Sequence, residues 1–167
     1  MKKSKLWIGG EYVEPSRGEY FEDLNPSDQT VIARVAKGTP SDVDKAVKSA
    51  KEAFYGFSES QAKEREAILS HAAAIVERDR EQYVQLLIEE VGSPIMKAEF
   101  EVDYCVNAFR AASGVPRRLT GQTMPLDRPG AFGMSIREPV GVIACITPFN
   151  VPLLKNVKQI AMVIATG

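Results

Sequence analysis

The chain is short of reactive and metal-binding side chains. Its two cysteines in 167 residues, Cys105 and Cys145, are too few for a disulfide framework and do not form a metal-ligand pair. His71 is the single histidine, with no second His or Cys at ligand spacing, so no metal centre is expected. No run approaches the roughly 18 consecutive apolar residues of a membrane span. The opening "MKKSKLWIGGEYVEPS" is basic but has no apolar stretch of signal-peptide length. Repeats, low-complexity segments and a G-x-G-x-x-G motif are all missing, the last weakening any claim to a standard dinucleotide fingerprint. The 21 basic and 22 acidic side chains nearly cancel and are spread along the chain, which leaves no nucleic-acid footprint. These features imply no nucleic-acid partner, no membrane association and a reducing, cytoplasmic setting.

What is present is ordinary globular material for about one domain, 44% hydrophobic and 26% charged. "KLWIGGEYVEP" places two brief apolar stretches around Gly9-Gly10, a hairpin turn pair. "TVIARVA" alternates like a strand after the turn at Asn25-Pro26. The period then changes. Thr39-Pro40-Ser41-Asp42 starts a helix, with a hydroxyl to cap free N–H groups, a proline whose missing N–H costs nothing there, and a carboxylate at the positive helix end.

Val43, Ala46, Val47, Ala50 and Phe54 then share one helical face. A second helical region covers about 61–91, with Ile68, Ala72, Ile75 and Val76 before a charged interruption at Glu77–Glu81. Tyr83, Val84, Leu87, Ile88 and Val91 follow it, and Gly92 ends the region. A third helix begins at Ser93-Pro94. Its Ile95, Ala98, Val102, Cys105, Phe109 and Ala112 step by three and four until Gly114 and Pro116. Three such helices must share a buried seam or cover a sheet.

From Arg117 the chain turns extended. "LTGQTMPLDRPGAFGMSIREP" carries prolines and glycines that a central strand would not tolerate, so edge strands or an arm are expected. "VGVIACI" lacks polar alternation and reads as a strand buried on both faces of a parallel sheet. A buried strand, a tight loop and a helix are the elements between which open α/β sheets bind ligands. Pro148 and Pro152 stiffen the loop, and Asn150 between them offers two amide donors. Such an amide can stabilise a developing alkoxide, although Asn150 as the N-cap of the following helix is favoured from spacing alone.

Other candidates read as structural. Cys145 packs mid-strand as a small hydrophobe and Cys105 lies on an apolar stripe. His71 borders an apolar face and is expected to pack with one hydrogen bond. Glu89, Glu90, Glu99 and Glu101 are expected on helix surfaces, and the charge pairs of "KEREAILSHAAAIVERDREQ" form a solvated face.

"EPVGVIACITPFNVPL" resembles the aldehyde dehydrogenase superfamily segment E-P-x-G-V-x-x-x-I-x-P-W-N-x-P-L. "LWIGGEYVEP", "FEDLNPSDQTVIARV" and "EVGSPIMKAEFEV" resemble further family stretches in the family's order, so the resemblance covers essentially the whole chain. It implies an α/β fold made of the N-terminal strands and helices of a cofactor-binding domain (1–116), an oligomerisation β-arm (117–138) and a truncated first strand-loop-helix of a Rossmann-like region (139–167). It also implies oxidation of a small-molecule aldehyde to a carboxylic acid with NAD or NADP, through a cysteine thiohemiacetal and thioester, in a homo-oligomer, dimer or tetramer, when full length.

By this resemblance Asn150 falls on the asparagine that holds the aldehyde oxygen. Ile146, Thr147, Pro148 and Phe149 fall on the loop against the nicotinamide. Four departures stand out. Phe149 replaces the commoner tryptophan. Gln159 stands where many members have lysine, with Lys158 one position off, and Met162 stands where many have proline. The chain also stops at "ATG", where members continue into N-T-V-V-x-K-P-S. The nucleophilic cysteine, the glutamate base and the cofactor glycines would lie beyond, so a fragment inactive by itself is expected. The alternatives are an assembly module that pairs through the arm, or a non-functional truncation.

Overall fold

A computed structural model describes residues 2–167, and it opens with three short strands: β1 (Lys2–Ser4), β2 (Leu6–Ile8) and β3 (Glu11–Val13). β2 and β3 pair antiparallel, Leu6 opposite Val13 and Ile8 opposite Glu11. Gly9 and Gly10 turn between them at φ 64° and 82°, angles that glycine reaches without steric cost. β4 (Tyr20–Leu24) and β5 (Val31–Ala36) pair antiparallel, and β1 joins β5 in parallel, giving the order β1-β5-β4. The expected hairpin and the alternating strand are both found.

α1 (Pro40–Ser58) begins at the predicted signal, with Thr39 as N-cap and Pro40 in the first turn. The Thr39 N–H and hydroxyl both donate to Asp42 Oδ2 at 2.9 Å, and the Ser16 N–H donates to both carboxylate oxygens at 3.1 Å. This almost fully buried carboxylate joins the loop after β3 to the start of α1. Its pKa is held far below the ordinary carboxylate range, first by the Ser16 hydroxyl and further by the backbone N–H groups.

The core lies elsewhere. α2 (Ala62–Arg78), α3 (Arg80–Val91), α4 (Ile95–Ser113) and α5 (Pro152–Thr166) share one seam. Leu69, Ala73 and Val76 come from α2, and Val84 and Leu87 from α3. α4 adds Ala98, Val102, Cys105, Val106, Phe109 and Ala112, and α5 adds Val157, Ala161 and Ala165. Each fully buried Leu, Val or Phe contributes about 1.5–3 kcal/mol, so this seam outweighs any one surface contact. Ion pairs ring it: Arg80 Nε reaches Asp103 Oδ1 at 2.8 Å and Arg110 reaches Glu77 at 2.6 Å.

The predicted second helical region is two helices. They break at Asp79, within the charged interruption, where one residue is both the C-cap of α2 and the N-cap of α3. Gly92 ends α3 in the left-handed conformation, its N–H bonded to the Ile88 carbonyl.

Two expectations are not met in full. The apolar face of α1 is only partly covered: Val43 is 60% exposed and Val47 is exposed, Ala46, Ala50 and Phe54 are half-buried, and Asp42 is the one fully buried residue of that helix. "VGVIACI" forms no strand, and Val140, Val142, Ile143, Cys145 and Ile146 are exposed. A buried parallel strand takes its hydrogen bonds from neighbouring strands, and among the described residues none lies beside this segment. The stretch after Arg117, expected to form edge strands or an arm, holds the short antiparallel ribbon β6 (Gln122–Met124) and β7 (Gly133–Ser135).

Candidate functional site

Asn150 sits in an exposed turn at the end of the extended segment, immediately before α5. It is not the helix cap, which corrects the reading that spacing alone favoured. The N-cap is Val151, whose side chain makes no hydrogen bond, and Pro152 opens the first turn. Asn150 is exposed and is not committed to capping the helix.

The loop is fastened at both sides. Gln159 Nε2 donates to the Ile146 carbonyl at 3.2 Å, joining the start of the loop to the second turn of α5. The Leu154 N–H donates to Glu101 Oε1 at 3.0 Å, fastening the first turn of α5 to α4. Between these points Thr147 and Pro148 are exposed, with Ile146 at 86% and Phe149 at 89%. The structure thus brings the sequence-predicted residues Ile146, Thr147, Pro148, Phe149 and Asn150 onto one exposed, tethered loop. A cleft of about 230 Å³ lies beside it, lined by Tyr83, Leu86, Leu87 and Glu90 of α3 and by Thr147, Pro152, Leu153 and Asn156. Burial, and then the charge of Asp23, raise the Glu90 carboxyl pKa above its ordinary value.

The remaining candidates separate clearly. Cys145 is exposed, because the strand expected to bury it does not form. Cys105 is fully buried, and desolvation with the nearby Glu101 charge pushes its thiol up to about 12, which keeps it inert. His71 is exposed and does not pack as expected; its helical position faces just past the seam. Among the described residues no cluster of His, Cys, Asp or Glu could hold a metal ion.

Glu101 is the residue that sequence reasoning missed. It is fully buried, not on the surface. The signal was available, since it stands three residues after Ala98 and four before Cys105, on the stripe itself.

The family model for the aldehyde dehydrogenase family matches residues 12–167. The chain belongs to the aldehyde dehydrogenase family. It is 34% identical over 164 residues to a vanillin dehydrogenase of Corynebacterium glutamicum, covering 98% of this chain and 34% of that protein. Its backbone matches a salicylaldehyde dehydrogenase from Pseudomonas putida G7, solved with salicylaldehyde, at TM-score 0.95 and 29% identity, over 99% of this chain and 34% of that one. A betaine aldehyde dehydrogenase of Staphylococcus aureus, solved with NAD+, matches at TM-score 0.95 and 30% identity, over 98% and 33%. This aldehyde dehydrogenase chain thus has the α/β fold of the family and spans about a third of the length of the relatives it matches. No helix among the described residues is long and apolar enough to cross a membrane.

Proposed function

We propose that this chain works as part of a longer aldehyde dehydrogenase, oxidising an aldehyde to a carboxylic acid with NAD or NADP, and that residues 1–167 alone turn nothing over. The observation that carries the reading is the tethered, solvent-facing loop with Asn150 at its tip, on a backbone matching a salicylaldehyde dehydrogenase at TM-score 0.95. Asn150 acts at the substrate carbonyl. When a cysteine thiolate from outside residues 1–167 attacks that carbon, negative charge builds on the oxygen and the Asn150 Nδ2–H donates to it. One such preorganised donor is worth about 3–4 kcal/mol of transition-state stabilisation. Tethering at Gln159 and Glu101 sets the direction of that donor before substrate arrives.

The loop also suits a flat heterocycle. Ile146, Pro148 and Phe149 expose apolar surface and one ring face, and Thr147 adds a hydroxyl beside them. These residues would hold the nicotinamide, which when bound would supply the acceptor for the hydride of the former aldehyde carbon. Attack by water on the thioester then releases the acid, with its glutamate base also supplied from outside these residues.

Small aromatic aldehydes are the first substrates to test, because relatives named for vanillin and salicylaldehyde match this chain over nearly its whole length. The β6–β7 ribbon, with Phe132, Met134 and Ile136 exposed around it, serves as the contact between subunits of a homo-oligomer. Free cysteines suit a reducing, cytoplasmic setting.

The decisive experiment is Asn150→Ala in a longer protein carrying this chain. Turnover of salicylaldehyde or vanillin is expected to fall by about 10²–10³-fold with an unchanged melting temperature, because the side chain supports no fold contact. Residues 1–167 alone are expected to form no NADH or NADPH above the buffer rate. Turnover by that chain, or full activity in the variant, overturns the reading.

A further inference from the structure

Glu101 presents an unusual combination: a carboxyl group with no exposure, placed in the middle of an apolar helix stripe. Burying such a group is costly unless its partners compensate, so a carboxyl retained there is expected to make a specific contact. Its contacts are few. Oε1 accepts the Leu154 N–H at 3.0 Å across 53 residues of sequence. Oε2 has no hydrogen-bond donor among the described residues and lies 3.6 Å from Lys97 Nζ, one turn back on α4. Lys97 Nζ donates in turn to the buried Ser93 hydroxyl at 2.6 Å. A short polar relay thus runs from Ser93 through Lys97 to Glu101 and ends on the first turn of α5.

Leu154 is the third residue of α5, so its N–H is one of the four that a helix start leaves without an intrahelical partner. The side chain of the cap residue Val151 offers nothing. A carboxyl from a neighbouring helix therefore does what a cap normally does. It supplies an acceptor and negative charge at the positive end of the helix dipole. The consequence is positional. Only three residues separate Leu154 from Asn150, so whatever fixes that N–H fixes where α5 begins and how the Pro148–Asn150 bend is aimed.

We infer that Glu101 is a positioning residue, a cap in trans from α4 that sets the start of α5 and thereby the direction of the Asn150 amide. The link to catalysis rests on the proposed role of Asn150, whereas the capping itself stands on contacts within this chain.

The test uses the 167-residue chain by NMR, without substrate or cofactor. Glu101→Met keeps comparable bulk and removes the acceptor, so it separates capping from packing. Glu101→Gln keeps both shape and an acceptor oxygen. In Glu101→Met the Leu154 amide proton is expected to move upfield and to exchange roughly ten- to a hundredfold faster, the size of a lost hydrogen bond to a charged group. Residues 149–151 are expected to broaden, while the α4 amides of Val102 and Phe109 stay as protected as in the parent. Glu101→Gln is expected to restore Leu154 and the loop. If Glu101→Met leaves Leu154 and the loop unchanged, loosens all helices equally or fails to fold, or if Glu101→Gln does not rescue, the positioning role is wrong. Loop release in Glu101→Met, together with a longer unsubstituted protein that oxidises no aldehyde, would sink only the dehydrogenase reading.

Discussion

Helix α4 keeps Ala98, Val102 and Cys105 out of water altogether, whereas Val140 and Ile146 stand 89% and 86% exposed. Both stretches are similarly apolar, and they lie in one chain less than fifty residues apart. The difference comes from where backbone polar groups find partners. A helix closes its own hydrogen bonds and needs only an apolar surface to lean on, which α2, α3 and α5 supply. An extended segment must borrow its hydrogen bonds from other strands, and among the described residues no strand pairs with this one. Apolar composition therefore states a demand for burial, and the neighbours decide whether it is met.

Paired truncations sharpen this contrast most. Leu69→Ala, at a fully buried α2 position, is expected to lower the unfolding free energy by about 2–5 kcal/mol in urea melts. Val140→Ala is expected to change it by less than about 0.5 kcal/mol. Equal losses at the two sites would mean that the extended segment is packed after all.

A middle-sized effect concerns the polar anchor at the start of α1, where the helix has its one fully buried residue. The Asp42 carboxyl has a folded pKa depressed well below its ordinary value of 3.8. Its contribution is therefore fully present above that ordinary value and is lost as pH falls through the lower folded value. Asp42→Asn is expected to lower the melting temperature by several degrees at neutral pH and to flatten the loss of stability below about pH 4. A variant as acid-sensitive as the parent would remove Asp42 from this role.

The smallest effect belongs to the rim of the seam. Arg110→Ala breaks the pair with Glu77, whose side chains are both 55% exposed, and is expected to cost about 0.2–1 kcal/mol, shrinking further in high salt.

How much could be read in advance follows the same division. The Gly9-Gly10 hairpin, the Thr39–Asp42 helix start, the α4 stripe from Ala98 to Ala112 and the Gly92 stop depend on residues within a turn or two of each other, and all were legible, whereas Ile95 at the head of that stripe is 60% exposed. The loop from Ile146 to Asn150 was legible as a unit through its prolines and its family resemblance. Its attachment was not. Gln159 meets Ile146 across 13 residues and Glu101 meets Leu154 across 53. Periodicity reports which face a side chain takes but not what stands opposite. Val43 and Val47 of the α1 face and the 140–146 run fell short for that reason, since each pattern assumed a covering layer.

The joint at Asp79 constrains how this architecture can change. With α2 ending and α3 beginning on a single residue, no slack connection separates the two helices. One amino acid inserted there would rotate α3 by about 100° about its own axis, swinging Val84 and Leu87 out toward solvent. Homologous chains are thus expected to vary in length at the 125–131 bend far more readily than at this hinge-free corner.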